Sequence, residues 1–223
     1  MNKAVFEGRR KIKSTNSKNV ILENYQLTFN VPGIPFWEPS FASILPRKGH
    51  ILHGVIFEIE DKDFQRIRYS EGGNGVPGIG YQVVELQVTS YEGQKYIAKT
   101  LYYNCSAFPN IHEFHPSKRY LNLIIQGAKE NKLDRGYIKT LELLDFYEVE
   151  HTHASIAKFL FIIPASVVLP FILTYYSLAK YFKIRVSAIV IMAHYIQYIL
   201  YLFHDYIWIR VFPSGLKIIH RPQ

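Results

Sequence analysis

This 223-residue sequence predicts an α+β fold: a small mixed β-barrel, or an antiparallel sheet curled toward one, flanked by helices and followed by a C-terminal transmembrane helical hairpin. Three observations carry that expectation. Strand-like runs come first, between residues 20 and 103, capped helical patterns come second, between 117 and 145, and two long apolar stretches come last. Strands grouped ahead of helices mark an α+β unit rather than alternating βα repeats. The length allows one ordinary domain with an appendage, drawn here as residues 1–150 for the globular part and 151–223 for a membrane-anchoring region.

Residues 20–29 (VILENYQLTF) place Ile21, Tyr25, Leu27 and Phe29 on one side at period two, as in a half-buried strand. The next stretch, NVPGIPFWEPSFASILPRKG, holds four prolines and two glycines and reads as an irregular, aromatic-rich loop. Residues 53–59 (HGVIFEI) are almost continuously apolar, the mark of a strand covered on both faces. Residues 81–90 and 95–103 meet at Glu92 and Gly93 and read as a hairpin whose two-residue turn supplies the positive φ required. Ser117 after Pro116 is a good N-cap, with Tyr120, Leu121, Ile124, Ile125 and Ala128 on one helical face. Asp134 opens a second helix that aligns Tyr137, Leu141 and Leu144.

Charge separates the two regions. Residues 1–155 carry 19 Lys and Arg against 17 Asp and Glu, whereas 156–223 carry 7 against 1, so the basic excess belongs to the tail. No arginine-rich, aromatic-interleaved stripe occurs in the first 155 residues, which argues against a nucleic-acid partner. Cys105 is the only cysteine, so an intrachain disulfide and any CxxC site are excluded. His112 with His115, and His151 with His153, have no closing set of ligands at metal-binding spacing and read as solvated histidines. No metal or organic cofactor is expected.

The run YSEGGNGVPGIGY is the most informative local feature. Glycines 72, 73, 75, 78 and 80 with Pro77 make a loop that lets backbone approach a ligand closely. Glu71 is its only carboxylate. Set between an amphipathic piece (Phe64, Ile67, Arg68) and an apolar strand, Glu71 is a candidate general base, shielded from water. The plainer reading is a glycine-ended helix whose last residue, Glu71, is merely solvated.

Four pieces in this order, LENYQLTFN, HGVIFEI, the YSEGG to GIGYQVVELQV junction and PSKRYLNLIIQGAKENKL, resemble the gamma-glutamylcyclotransferase family over roughly residues 5–145. The segment FNVPGIPFWEPSFASI brings the resemblance closest to the fungal-type branch. The resemblance implies a compact barrel flanked by helices that closes gamma-glutamyl compounds to 5-oxoproline and releases an amine, a lyase reaction without cofactor. It also implies that Glu71 is the proton acceptor and that Tyr120, in the PSxxY element, contacts substrate. From spacing alone, Tyr120 packs in the helix core. The family's pattern opens with a strand and a YGSN-like glycine loop, and MNKAVFEGRRKIKS resembles the segment directly after that loop. The expectation is therefore an N-terminally truncated domain, with the first strand and glycine loop missing. The alternative function is a noncatalytic membrane-anchored binding or scaffold protein that keeps the barrel.

Residues 159–179 are 21 residues without a charge, long enough to cross a bilayer. Residues 186–209 are interrupted by His194, His204 and Asp205 and read as a second span or an interfacial segment. The basic linker (Lys180, Lys183, Arg185) suits a helical hairpin. The lipid bilayer is thus the expected partner of 159–179 and 186–209, with the catalytic domain on the cytosolic side. Packing of both segments in a larger soluble globule is the other reading.

Overall fold

The computed structural model describes residues 14–34, 37–71, 81–103 and 113–147, together with Ile12 and single positions spread from 156 to 219. Its frame is a ribbon of two long strands, β1 (Asn16–Ile34) and β2 (Glu38–Glu58), paired antiparallel from Asn16↔Glu58 to Ile34↔Glu38. Apart from residues 35 and 36, which lie outside the described residues, and the turn at Trp37, the segment that reads as an irregular loop is therefore strand. Pro39 and Pro46 are tolerated because β2 is an edge of the four-stranded sheet, where a missing N–H costs no ladder bond. Gly33 is required by close approach. A Cβ there would lie 1.9 Å from the Glu38 carbonyl oxygen and 3.0 Å from the Phe41 ring.

Two slips interrupt the ribbon. At the first, Asn24 takes φ +61 and its Oδ1 accepts from the Gly49 N–H at 3.0 Å. At the second, Thr28 pairs with Ser43 and Val31 with Phe41, so Phe29 and Asn30 together oppose Ala42 alone. An extra residue of this kind bends a strand and turns over its inside–outside phase. Burial on β1 accordingly falls on Val20, Gln26, Thr28, Phe29 and Val31, covering both parities rather than the single expected side.

The sheet order is β2-β1-β3-β4, with β3 (Tyr81–Ser90) and β4 (Lys95–Tyr103) forming the expected hairpin. Its turn is longer than two residues. Ser90 N–H donates to the Gln94 carbonyl at 2.7 Å, and Gly93 supplies the positive φ at +86. The sheet curls until β4 returns to β2, where the Tyr103 N–H donates to Ser43 Oγ at 2.9 Å. Every described ladder is antiparallel, so of the mixed and antiparallel arrangements expected from sequence it is the antiparallel one that forms. A hairpin reverses the chain, and parallel neighbours would need long crossovers.

Helices close the two sides. The first, α1 (Asp61–Ser70), has Asp61 and Asp63 in its first turn and Arg68 in its last, as the helix dipole favours. Its Ile67 packs with Ile12, Phe57, Ile59 and Leu101. A short strand, β5 (Glu113–Phe114), precedes α2 (Lys118–Glu130), which is capped by Ser117 through the Tyr120 N–H at 3.0 Å. Asp134 caps α3 (Arg135–Glu142) through the Tyr137 N–H at 2.8 Å. Both caps and the apolar faces are those expected, with Ala128, Leu133 and Leu141 packed against Leu27, Val55, Ile124, Tyr137 and Leu144.

The transmembrane hairpin is not supported. Among the described residues no helix is long and apolar enough to cross a membrane, and most of 159–179 and 186–209 lies outside the described residues. Hydropathy counts side chains, whereas a span also needs about 20 residues to form a helix, and Pro164 and Pro170 each lack a backbone donor. The tail also supplies β6 (Ile218–Ile219), paired antiparallel with β5, which the sequence reading did not foresee.

His53 of β2 joins the helices to the sheet. Its Nδ1 lies 2.7 Å from the Tyr91 hydroxyl, which accepts from the Asp134 N–H at 3.0 Å, and its ring stacks on Tyr137 at 4.8 Å. Burial holds His53 below the ordinary value of 6.5, partly offset by Asp134. The folded state thus favours neutral imidazole. Stability from this source is complete above 6.5 and is lost as pH falls through the lowered folded value. Urea midpoints measured from pH 7 to pH 5 are expected to fall more steeply for the wild type than for His53→Phe. In the same assay at pH 7, Gly33→Ala is expected to cost about 1–3 kcal/mol, since backbone must move to admit the methyl.

Candidate active site

Six elements, β1 to β4 with α1 and α2, line one cavity of about 1550 Å³. That exceeds the usual 300–1,000 Å³ of a small-molecule pocket. The end of α1 contributes Glu71, the start of β3 contributes Tyr81, the start of β2 contributes Glu38, Phe41 and Ala42, and the first turn of α2 contributes Arg119 and Tyr120. Leu22 and Val31 of β1 and Leu86 of β3 give apolar wall.

Glu71 is placed by the helix it ends, its N–H donating to the Ile67 carbonyl at 3.0 Å. It is half-buried and on the cavity wall, directly after the helix end. Residues 72–80, the glycine-rich part of the loop, lie outside the described residues. Tyr120 is set by the Ser117 cap, and its ring lies edge-on to Phe41 at 5.4 Å and to Phe29 at 6.4 Å. Packing and cavity access coexist in it, because a tyrosine buries its ring while its hydroxyl stays available.

The two expected site residues therefore share one cavity, although they come from different helices. Sequence reasoning missed what stands between them. The Tyr81 hydroxyl donates to the Ala42 carbonyl at 2.7 Å, and the Ala42 N–H donates to the Tyr120 hydroxyl at 3.2 Å. Burial chiefly, then Tyr120 and Glu71, push the Tyr81 phenol far above its ordinary value, so it stays protonated. Its ring meets Tyr103 edge-on at 5.9 Å. The one available signal was the position of Tyr81 next to the glycine loop. For Ala42 there was none, since its segment reads as loop.

Charge at the mouth is internally matched. Arg119 Nη2 lies 2.6 Å from Glu38 Oε2, and Ser117 Oγ donates to Glu38 Oε1. Among the described residues no group of three or more His, Cys, Asp or Glu is arranged to hold a metal. His115 is buried, contrary to the solvated reading, while His112, His151 and His153 lie outside the described residues. A half-buried carboxylate beside the protonated Tyr81 phenol suits proton transfer and hydrogen bonding to an acceptor-rich ligand.

The model of the AIG2-like family matches residues 51–141. The gamma-glutamyl cyclotransferase gliK of Aspergillus fumigatus is 31% identical over 184 residues, covering 71% of this chain and 64% of that protein. The gamma-glutamyl cyclotransferase gliK of Claviceps purpurea is 30% identical over 157 residues, covering 66% of this chain and 68% of the relative. This chain thus spans about two thirds of the length of these two relatives. A solved gamma-glutamyl cyclotransferase structure superposes with a TM-score of 0.54 at 20% identity, over 68% of this chain and 88% of the other, a likeness of fold. With the fold, the PSxxY helix and this identity along most of a relative's length in agreement, the chain belongs to the gamma-glutamylcyclotransferase family.

Proposed function

We propose that this protein is a gamma-glutamylcyclotransferase, closing a gamma-glutamyl amino acid or peptide to 5-oxoproline and releasing a free amine. Glu71 is the proton carrier and Tyr120 the substrate contact. The observation that carries this reading is the meeting of Glu71 and Tyr120 on the wall of one cavity large enough for such a compound. The names of the relatives support the reaction class.

The chemistry asks little of the protein. The substrate's α-amino nitrogen attacks its own γ-carbonyl carbon, forming the ring C–N bond, and the bond from that carbon to the departing amine breaks. The attacking nitrogen must lose a proton and the departing nitrogen must gain one. A single carboxylate accepts the first and returns it to the second, leaving no net change on the enzyme. Such a group typically contributes about 10²- to 10⁴-fold. Folding the glutamyl chain into a ring-closing conformation contributes more, since aligned intramolecular attack gains up to roughly 7–11 kcal/mol.

Glu71→Gln keeps the shape of the side chain and removes its basicity. It is expected to lower 5-oxoproline release by about 10²- to 10⁴-fold, with little change in KM or melting temperature. Turnover by the glutamine variant within a few-fold of wild type would remove Glu71 from the proton path.

A further inference from the structure

Tyr81 takes no part in the proton path above, yet its hydroxyl is fixed on the backbone that Tyr120 also grips. We propose that Tyr81 is a positioning residue: by holding the Ala42 carbonyl it sets the Ala42 N–H against the Tyr120 oxygen and so turns the Tyr120 hydroxyl proton toward the bound gamma-glutamyl group. This rests on the cyclotransferase reading.

The directions of the two hydrogen bonds are fixed by chemistry. A carbonyl only accepts and an amide N–H only donates. Tyr81 must therefore donate to the Ala42 carbonyl at 2.7 Å, and Tyr120 must accept from the Ala42 N–H at 3.2 Å. With that N–H occupying one side of its oxygen, the proton of Tyr120 is directed away from Ala42. The carboxylate and carbonyl oxygens of a gamma-glutamyl compound are acceptors, so a proton turned toward the cavity is the productive orientation.

The slip in the β1–β2 ladder makes Ala42 available. Phe29 and Asn30 oppose it together, and it has no Cα partner in the register. A residue displaced in this way has to satisfy its N–H and C=O elsewhere, and the two phenols do so. Neighbouring bonds hold Ala42 in place: the next residue, Ser43, accepts from the Tyr103 N–H at 2.9 Å, and the preceding one, Phe41, lies edge-on to Tyr120.

The test compares wild type, Tyr81→Phe, Tyr120→Phe and the double variant for 5-oxoproline release from a gamma-glutamyl amino acid. The Ala42 amide resonance is followed in ¹H–¹⁵N spectra of each. Phenylalanine keeps the edge contact with Tyr103, so the fold should be retained, with a modest fall in melting temperature from the Ala42 carbonyl left without its donor. Tyr81→Phe is expected to slow turnover about tenfold, the scale of one hydrogen bond. The double variant is expected to be no slower than Tyr120→Phe alone, because Tyr81 acts through Tyr120. Both single variants should move the Ala42 amide. Wild-type turnover by Tyr81→Phe, or losses that multiply in the double variant, would overturn the proposal. Should the wild-type chain release no 5-oxoproline, the cyclotransferase reading fails by itself. The amide then decides, and an Ala42 resonance unmoved by Tyr81→Phe overturns the positioning role as well.

Discussion

The pairing of β1 with β2 along nearly their whole length is the constraint on which the other elements depend. Two strands of about twenty residues twist together, and a long twisted ribbon coils back on itself. Its two slips sharpen the bend. The coil brings the start of β2 to the end of β4 and to the first turn of α2, two neighbours far away in sequence. The ribbon receives α2 and α3 through Leu27 and Val55, and Leu22, Ile44, Leu52 and Val55 line the cavity.

The same slip that bends the ribbon equips the site. Regular ladder would spend the N–H and C=O of Ala42 on the neighbouring strand. Displaced from register, they meet two phenols, and burial keeps at least Tyr81 protonated. The cavity wall carries the phenols of Tyr81 and Tyr120 and the carboxylate of Glu71, together with Lys18, Glu58, Asp61, Lys99 and the mutually paired Arg119 and Glu38. An arrangement of this kind suits a reaction in which the substrate carries its own nucleophile. The protein then has to fold the substrate, exclude competing water and move one proton.

Sequence reading succeeded where a short-range rule controls the outcome. Ser117 and Asp134 are caps because a side-chain oxygen three residues before a free N–H satisfies it whatever surrounds the helix. Gly93 closes the β3–β4 turn because that backbone position calls for positive φ. It failed where proline content was taken to exclude strand, because the edge position that tolerates Pro39 and Pro46 exists only once the sheet is assembled. The membrane span read from apolar length in the tail is likewise not supported, since among the described residues no helix is long and apolar enough to cross a membrane.

Of the site, Glu71 and Tyr120 were legible through local motif and family resemblance, as two separate points. Their common cavity, and the part of Tyr81, Ala42 and Phe41 in it, were not. Local chemistry along the chain, caps, turns and apolar periodicity, determined which segments are helix and where the hairpin turns. The tertiary structure alone decided which side chains face one another. That outcome depends on the coiling and slippage of a ribbon whose two strands must first find each other, a relation between distant residues that no short window of sequence contains.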